Sequence, residues 1–407
     1  MDRWDIAITG IGTVCALGSS EAFWRKLEHG SLAIQAMASS QENDPCRWWS
    51  PVSEDFRPDL EAADPKQRPR QPARFVQFAM AAGQDAVQVA DRELPPTRTA
   101  VVMGTTMGGL PELIEAHASY QLNGPHVVPP RLMATVIANM ASSHLAMHWG
   151  LHGPQMTLAA ACASGLDAIG YGAMLIQSGS VDVAIAGGTD SLLDPLVYHS
   201  LVRARALARA TSAGQASRPF DRHRTGFVMG EGAGVVVLES GATARQRGVP
   251  IWGYLRGYGS LADGYHVTAP NPSGQWEAAA MTAALTHANV MPSLIDAVFA
   301  HGTGTPVGDA AEIQALNAVF GDRPVPVTSI KGHIGHSMGA SGTLSLVAAL
   351  YAVRDGILPP TVGTSEVDPM AHFALVTGRS RVLRLDRVMV NAFGFGGQNA
   401  SIIVERP

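Results

Sequence analysis

The chain has 407 residues, 46% of them hydrophobic and 15% charged, a composition that supports a large buried core and excludes a disordered or fibrous protein. Its formal net charge of -5 excludes a general nucleic-acid binder, which needs a basic face to neutralise phosphates. The N-terminal run MDRWDIAITGIG has charges at Asp2, Arg3 and Asp5 and lacks a signal-peptide core, and no segment reaches the roughly 18 to 20 apolar residues of a membrane span, so the sequence reads as a soluble, cytoplasmic protein.

In chain order, short β-branched runs at Asp5–Thr9, Thr99–Met103 and Val181–Ala186 alternate with helical spacing at Gln77–Val89 and Ala134–His148. That alternation predicts an α/β fold with parallel strands. Ser39–Gln71, rich in Pro, Arg, Trp and acidic residues, reads as an excursion from the core. The pattern restarts after about residue 250, with strands at Trp252–Tyr258, Ala297–His301 and Pro326–Ser329 and helices at Glu277–Ala288, Asp309–Val319 and Met338–Val353. Apolar runs at Val388–Ala392 and Ala400–Val404 close the chain. Two successive α/β halves, 1–250 and 251–407, follow from this, although no residue-level repeat links them.

Four segments carry chemistry. In Leu158-Ala-Ala-Ala-Cys162-Ala-Ser-Gly165 a small-residue strand runs into helical spacing, and a thiol at a helix start feels the positive end of the dipole, which favours thiolate. Taken alone, Cys162 reads rather as a buried small hydrophobe, as Cys15 and Cys46 do. His301-Gly-Thr303-Gly-Thr305-Pro-Val-Gly-Asp309, followed by Glu312, puts a histidine at a strand end with hydroxyls and glycines after it, which suits a ligand's amide backbone. The structural alternative is a satisfied histidine and a helix cap at Asp309. Lys331-Gly-His333-Ile-Gly-His336 precedes a small-residue helix and could be a plain surface loop. Asn391-Ala-Phe393-Gly-Phe395-Gly-Gly-Gln-Asn399 needs special backbone angles or is a glycine-rich β-turn.

In this order and spacing, with Arg218-Pro-Phe-Asp221, Gly230-Glu-Gly-Ala-Gly234 and Asp263-Gly-Tyr-His-Val-Thr268, the segments resemble the β-ketoacyl synthases of the thiolase superfamily, elongating type, over nearly the whole chain. The resemblance implies a five-layered αβαβα fold of two similar halves, with two mixed sheets between helical layers. It implies condensation of an acyl thioester with a decarboxylating malonyl thioester, extending a fatty-acid or polyketide chain by two carbons. Cys162 would be the nucleophile, with His301 and His336 completing the catalytic set. Lys331 would organise the site, Glu312 would be its acidic partner and Asp309 a supporting residue. The backbone N–H groups of Cys162 and Phe395 would form the oxyanion hole, with Phe395 also the gate. Such chemistry needs a soft nucleophile and donors aimed at developing oxyanions, which two imidazoles supply without a metal.

By the same resemblance Thr303 and Thr305, and more weakly Thr268, would bind the phosphopantetheine arm of acyl carrier protein, with no covalently bound cofactor. Arg70 and Arg205, then Arg68 and Arg74, would dock that carrier. Met107 would floor the acyl tunnel, with Met133 and Ile137 lining it from a neighbouring subunit; the alternative is that these three are ordinary core residues. The assembly would be a homodimer, or a heterodimer with a chain-length-factor homologue, and an inactive scaffold subunit is the non-enzymatic alternative. No cysteine follows Cys162, which disfavours thiolysis, and His336 stands where initiating synthases of the third type carry asparagine. Thr225 and Ala160 depart from the family's common aspartate and threonine, and His333 has no assigned role.

Overall fold

The Ile6–Cys15 strand (β1) is buried along its whole length, because it runs through the middle of a sheet covered on both faces. In the computed structural model, which describes residues 4–37, 44–56, 58 and 72–407, β1 is an interior strand of an eleven-stranded mixed sheet. Its other strands, in chain order, are β2 (Thr99–Gly104), β3 (Gln155–Leu158), β4 (Val183–Asp190), β5 (Gly232–Ser240) and β6 (Gly253–Ala262). They continue with β7 (Ala297–Phe299), β8 (Pro326–Thr328), β9 (Ala374–Leu375), β10 (Arg387–Gly394) and β11 (Gln398–Glu405). The spatial order is β9-β8-β7-β10-β11-β6-β1-β5-β4-β2-β3.

The same pattern appears twice. From β1 outward, β5 and β4 pair antiparallel, then β2 and β3 in parallel. From β6 outward, β11 and β10 pair antiparallel, then β7 and β8 in parallel. The expectation of parallel strands therefore holds only in the outer arms. Two separate sheets are also not what forms: the arms join through β1 and β6, over just Ile6–Ile8 against Gly253–Leu255.

Helix α1 (Arg74–Ala90) covers β1 and β5 from outside, and it explains the Gly-Ile-Gly of β1. A Cβ at Gly10 or Gly12 would lie 2.0 Å from the carbonyl oxygen of Ala86 or Ala82, so only glycine lets the helix lie this close. Between the two arms lie α2 (Ser164–Gln177), which follows β3, and α5 (Ser341–Asp355), which follows β8. Outside the second arm lie α3 (Gln275–Ala288) and α4 (Pro306–Phe320). Helices, sheet arm, central helices, sheet arm and helices make five layers. The central pair is small-residue and apolar all round, as helices packed on both sides must be; α5 is buried from Ser341 to Val353.

The helix read over Ala134–His148 is broken into Leu132–Val136 and Met140–His148, with Ile137 extended between them. The excursion at Ser39–Gln71 lies largely outside the described residues. Its described part adds Trp48–Ser50 to a small sheet with Gln35–Ala36 and Met229–Gly230. Among the described residues no helix is long and apolar enough to cross a membrane.

Candidate active site

After β3 the chain turns sharply, with Ala161 at φ +46°, a left-handed conformation that costs a non-glycine residue on the order of 1 kcal/mol. The turn is held by the Ser164 hydroxyl, which accepts from Ala160 N at 2.8 Å and donates to Ala161 O at 2.6 Å. Cys162 thereby sits in a single 3₁₀ turn ahead of α2, buried. From the other arm the β10–β11 turn closes over it: a Cβ at Gly394 would come within 2.9 Å of Cys162 N. The N–H groups of Phe395 and of Cys162 itself face the sulfur. The segment Asn391–Asn399 is thus both a hairpin turn, with Gly397 N donating to Gly394 O, and a wall of the site.

His336 occupies the corresponding position of the second half, between β8 and α5. Its backbone is fixed by His336 N donating to Val228 O and Gly230 N donating to His336 O. Its Nε2 lies 3.0 Å from Cys162 Sγ and its Nδ1 2.8 Å from the Ser341 hydroxyl. The edge of Phe227 packs on the ring, with centroids 5.3 Å apart. His301 follows β7, its ring edge-on to His336 at 5.3 Å. One side-chain atom each from Cys162, His301 and His336 lies within 4.8 Å of the other two. Residues 174 positions apart in sequence meet because both arms end at this point.

Lys331 Nζ donates to the carbonyl oxygen of His301 and lies 3.4 Å from its Nδ1. An ammonium has only donors, so it fixes the lone pair of His301 on Nδ1 and leaves the proton on Nε2. Glu312 does not hydrogen-bond Lys331. Its two oxygens accept from the backbone N–H groups of His301 at 2.8 Å and Gly302 at 2.7 Å, so acid and lysine grip the same residue and couple through charge. Asp309 is no helix cap either. Thr305 caps α4 through Gly308 N, while Asp309 accepts from Phe220 N at 2.6 Å and Gly304 N at 3.0 Å, holding the loop after His301 in shape.

Burial dominates the electrostatics. It pushes the Cys162 thiol up to about 11, against the pull of Lys331 and the two backbone N–H groups. This direction runs against the sequence-based expectation of a dipole-favoured thiolate, because desolvation of the buried sulfur opposes the pull of one helix end. Burial, followed by the charge of Lys331, also holds His301 and His336 well below the ordinary imidazole value. Burial thus favours a protonated thiol beside neutral imidazoles, with His336 Nε2 3.0 Å from the sulfur.

The substrate-contact candidates divide. Thr303 is buried and shares a hydrogen bond of 3.0 Å with the half-buried Thr305. Thr268 is exposed beside His266, on a loop whose Val267 carbonyl accepts from Gly396 N next to Phe395, itself 44% exposed. Met107, Met133 and Ile137 are 55%, 68% and 39% exposed, so they are not core residues of the single chain. Arg205 is exposed. Arg74 pairs its guanidinium with buried Glu231 at 2.8 Å and keeps 31% of its side chain exposed. Arg68 and Arg70 lie outside the described residues. Thr225 bonds both backbone groups of Arg209. His333 is buried between the carbonyls of Ser31 and Pro360, at 2.8 and 2.7 Å, and clamps three segments under the Lys331 turn.

Sequence reasoning missed Asp190 and Ser341, and it gave Phe227, part of the Gly226-Phe227 pair that also carries the resemblance, no role. Asp190 ends β4 and accepts from Thr105, Thr106 and Gly339 N, tying the turn after β2 and the turn before α5 to the end of β4. A carboxylate after Gly187-Gly188 at a strand end was the available signal.

Comparison with known proteins agrees with this geometry. The N-terminal domain of the beta-ketoacyl synthases matches residues 4–244 and their C-terminal domain residues 252–365. A protein of Synechocystis sp. named 3-oxoacyl-(acyl-carrier-protein) synthase 2 is 35% identical over 414 residues, covering 100% of this chain and 99% of its own. The mitochondrial 3-oxoacyl-(acyl-carrier-protein) synthase of Arabidopsis thaliana is 34% identical, covering 98% of this chain and 92% of its own. Among solved structures, the ishigamide ketosynthase/chain length factor superposes with a TM-score of 0.92 at 30% identity over 100% of both chains. A beta-ketoacyl synthase from Burkholderia phymatum superposes at 0.90 with 32% identity over 100% of both chains. The chain belongs to the beta-ketoacyl synthase family. It is accordingly an acyltransferase with a thiolase-like fold.

Proposed function

We propose that Cys162, His301 and His336 carry out a decarboxylative Claisen condensation that lengthens an acyl chain by two carbons, with both substrates delivered on the phosphopantetheine arm of acyl carrier protein. The single observation behind this reading is the 3.0 Å approach of His336 Nε2 to Cys162 Sγ, with His301 completing the cluster and two backbone N–H groups facing the sulfur.

In the first half-reaction His336 Nε2 takes the thiol proton as the sulfur attacks the acyl carbonyl. The oxyanion forms against the N–H groups of Cys162 and Phe395, and the proton then leaves on the carrier thiol. In the second, the malonyl thioester loses CO₂ and its carbonyl oxygen gains enolate charge. His301 Nε2–H is already aimed as a donor, because Lys331 faces Nδ1. Ser341 can accept from or donate to His336 Nδ1, so His336 can switch tautomer and supply a second donor. The enolate carbon attacks the acyl group on Cys162, and a 3-oxoacyl thioester departs as the sulfur is freed.

Thr303 and Thr305 are assigned to the arm, Arg205 to carrier docking and Phe395 to the gate. The chain divides at about residue 250 and works in the cytoplasm. A second ketosynthase-fold subunit covers exposed Met107, Met133 and Ile137. It is a second copy, or a chain-length-factor homologue as in the ishigamide pair, a reading favoured by that similarity. Incubation with acyl and malonyl carrier protein tests the function: 3-oxoacyl carrier protein and CO₂ should appear in equal amounts and depend on Cys162. Absence of carbon–carbon bond formation with every chain length tried would refute it.

A further inference from the structure

The same three side chains form a set of soft-metal ligands. We propose that the pocket of Cys162, His301 and His336 binds a divalent transition-metal ion, Zn²⁺ or its spectroscopic substitute Co²⁺, as a reversible inhibitor that occupies the position of the acyl thioester.

One ligand atom from each residue lies within 4.8 Å of the others, and the Sγ to Nε2 separation is already 3.0 Å. Ligand atoms of a tetrahedral zinc site with ordinary Zn–S and Zn–N bonds are about 3.3–3.6 Å apart, so small side-chain movements suffice. A thiolate with two imidazoles is a zinc donor set that leaves a fourth position for water. The ring orientations are also supported from behind. Ser341 holds His336 Nδ1, which leaves its Nε2 to the metal, as outer partners of zinc-bound histidines do, whereas His301, whose Nδ1 faces Lys331, ligates through Nε2 only once the proton there has left. Lys331 is the opposing charge, and the buried carboxylates of Asp190 and Glu312 offset it.

In the binding step the Cys162 S–H and His301 Nε2–H bonds break and both protons go to the buffer, while the hydrogen bond between His301 Nδ1 and Lys331 Nζ is kept. One metal–sulfur and two metal–nitrogen bonds form, and nothing is oxidised or reduced. The sulfur lone pair that would attack a thioester is then tied up, which makes the ion an inhibitor. The inference rests on the ligand set and not on the identity of the substrate.

The test is titration of the metal-free, full-length protein with Co²⁺. Expected are one Co²⁺ per chain and a near-ultraviolet thiolate-to-cobalt band, absent in Cys162→Ser, with affinity about 10-fold or more weaker in His301→Ala and His336→Ala. In the unmutated protein, stoichiometric Zn²⁺ should remove the band and protect Cys162, mapped by peptide mass, from iodoacetamide until EDTA is added. That readout does not depend on the variants folding. Cobalt binding without a thiolate band, a band that survives in Cys162→Ser, or alkylation of Cys162 unaffected by Zn²⁺ would overturn the proposal. Such a failure leaves the condensation assay untouched, so the two readings fail separately.

Discussion

Cys162 and His336 stand at equivalent positions of the two halves, each just ahead of a buried central helix, and their Sγ and Nε2 atoms are 3.0 Å apart. The approach of thiol and imidazole is thus set by the packing of α2 against α5, and the proposed roles of nucleophile and base rest on it. Cys162→Ser is expected to lower condensation by ~10³-fold or more, because a buried alcohol is a far weaker nucleophile. His301→Ala should retain acyl transfer to Cys162 while malonyl decarboxylation falls ~10²–10³-fold, the cost of a lost oxyanion donor. Acyl transfer is read by intact mass and decarboxylation by CO₂ release.

Burial lowers Lys331 below the ordinary lysine value of 10.5, and only its ammonium form fixes His301 as an Nε2–H donor. As pH rises through that lowered value the ammonium is lost, so the decarboxylation rate should fall on an alkaline limb that begins well below 10.5. Lys331→Met should be slower throughout and lack that limb. An unchanged alkaline limb in the variant would remove Lys331 from this role.

Glu277, on α3, is buried with Oε2 unpartnered, and burial together with the charges of Glu312, Asp263 and Asp309 raises it well above 4.5. Above pH 4.5 the unfolded chain releases this proton while the folded chain keeps it, so the group costs stability as pH rises toward its folded value. Glu277→Gln removes that cost. Its stability advantage in urea unfolding should grow by about 1.4 kcal/mol per pH unit across that window. A pH-independent difference would show that Glu277 titrates normally.

The cluster of Cys162, His301 and His336 could be read from the sequence because the three lie in ordered, glycine-rich segments, and the structure brings them together. What surrounds it was not. Ser341 and Phe227 are ordinary residues in sequence and matter only through contact with His336. The thiolate expectation failed because a helix dipole is visible in sequence, whereas burial on all sides is not. The continuous sheet was hidden because three residues of β1 and β6 join the arms, with no pattern of their own. The Ala134–His148 helix failed because its apolar spacing runs unbroken through Ile137, where the backbone is extended just after the Val136 carbonyl accepts from Gly109 N.

Arg205 is exposed and Arg74 is not free, so the two should respond differently. Arg205→Glu should raise the KM for carrier protein several-fold at low salt and less at high salt, leaving the fold intact. Arg74→Glu should instead cost stability on the order of 3 kcal/mol, because it strands buried Glu231. Urea unfolding and carrier-protein kinetics at two ionic strengths separate these outcomes.

Met107 is 55% exposed in the single chain, a position that a partner subunit would enclose. Met107→Ala should lengthen the accepted acyl chain and Met107→Trp shorten it, each methylene accepted or refused being worth about 1–3 kcal/mol of selectivity. Identical product profiles from folded variants would place Met107 away from the substrate.

The central claim is that Cys162 carries the growing chain while His301 and His336 drive decarboxylation. Its most direct measurement follows one sample by intact-protein mass spectrometry, with acyl carrier protein added first and malonyl carrier protein second. The expected result is an acyl adduct on Cys162 that persists alone, then disappears on malonyl addition as equal amounts of CO₂ and 3-oxoacyl carrier protein appear. In His301→Ala the adduct should form and remain. An adduct on Cys15, Cys46 or no cysteine, with condensation still proceeding, would contradict the account.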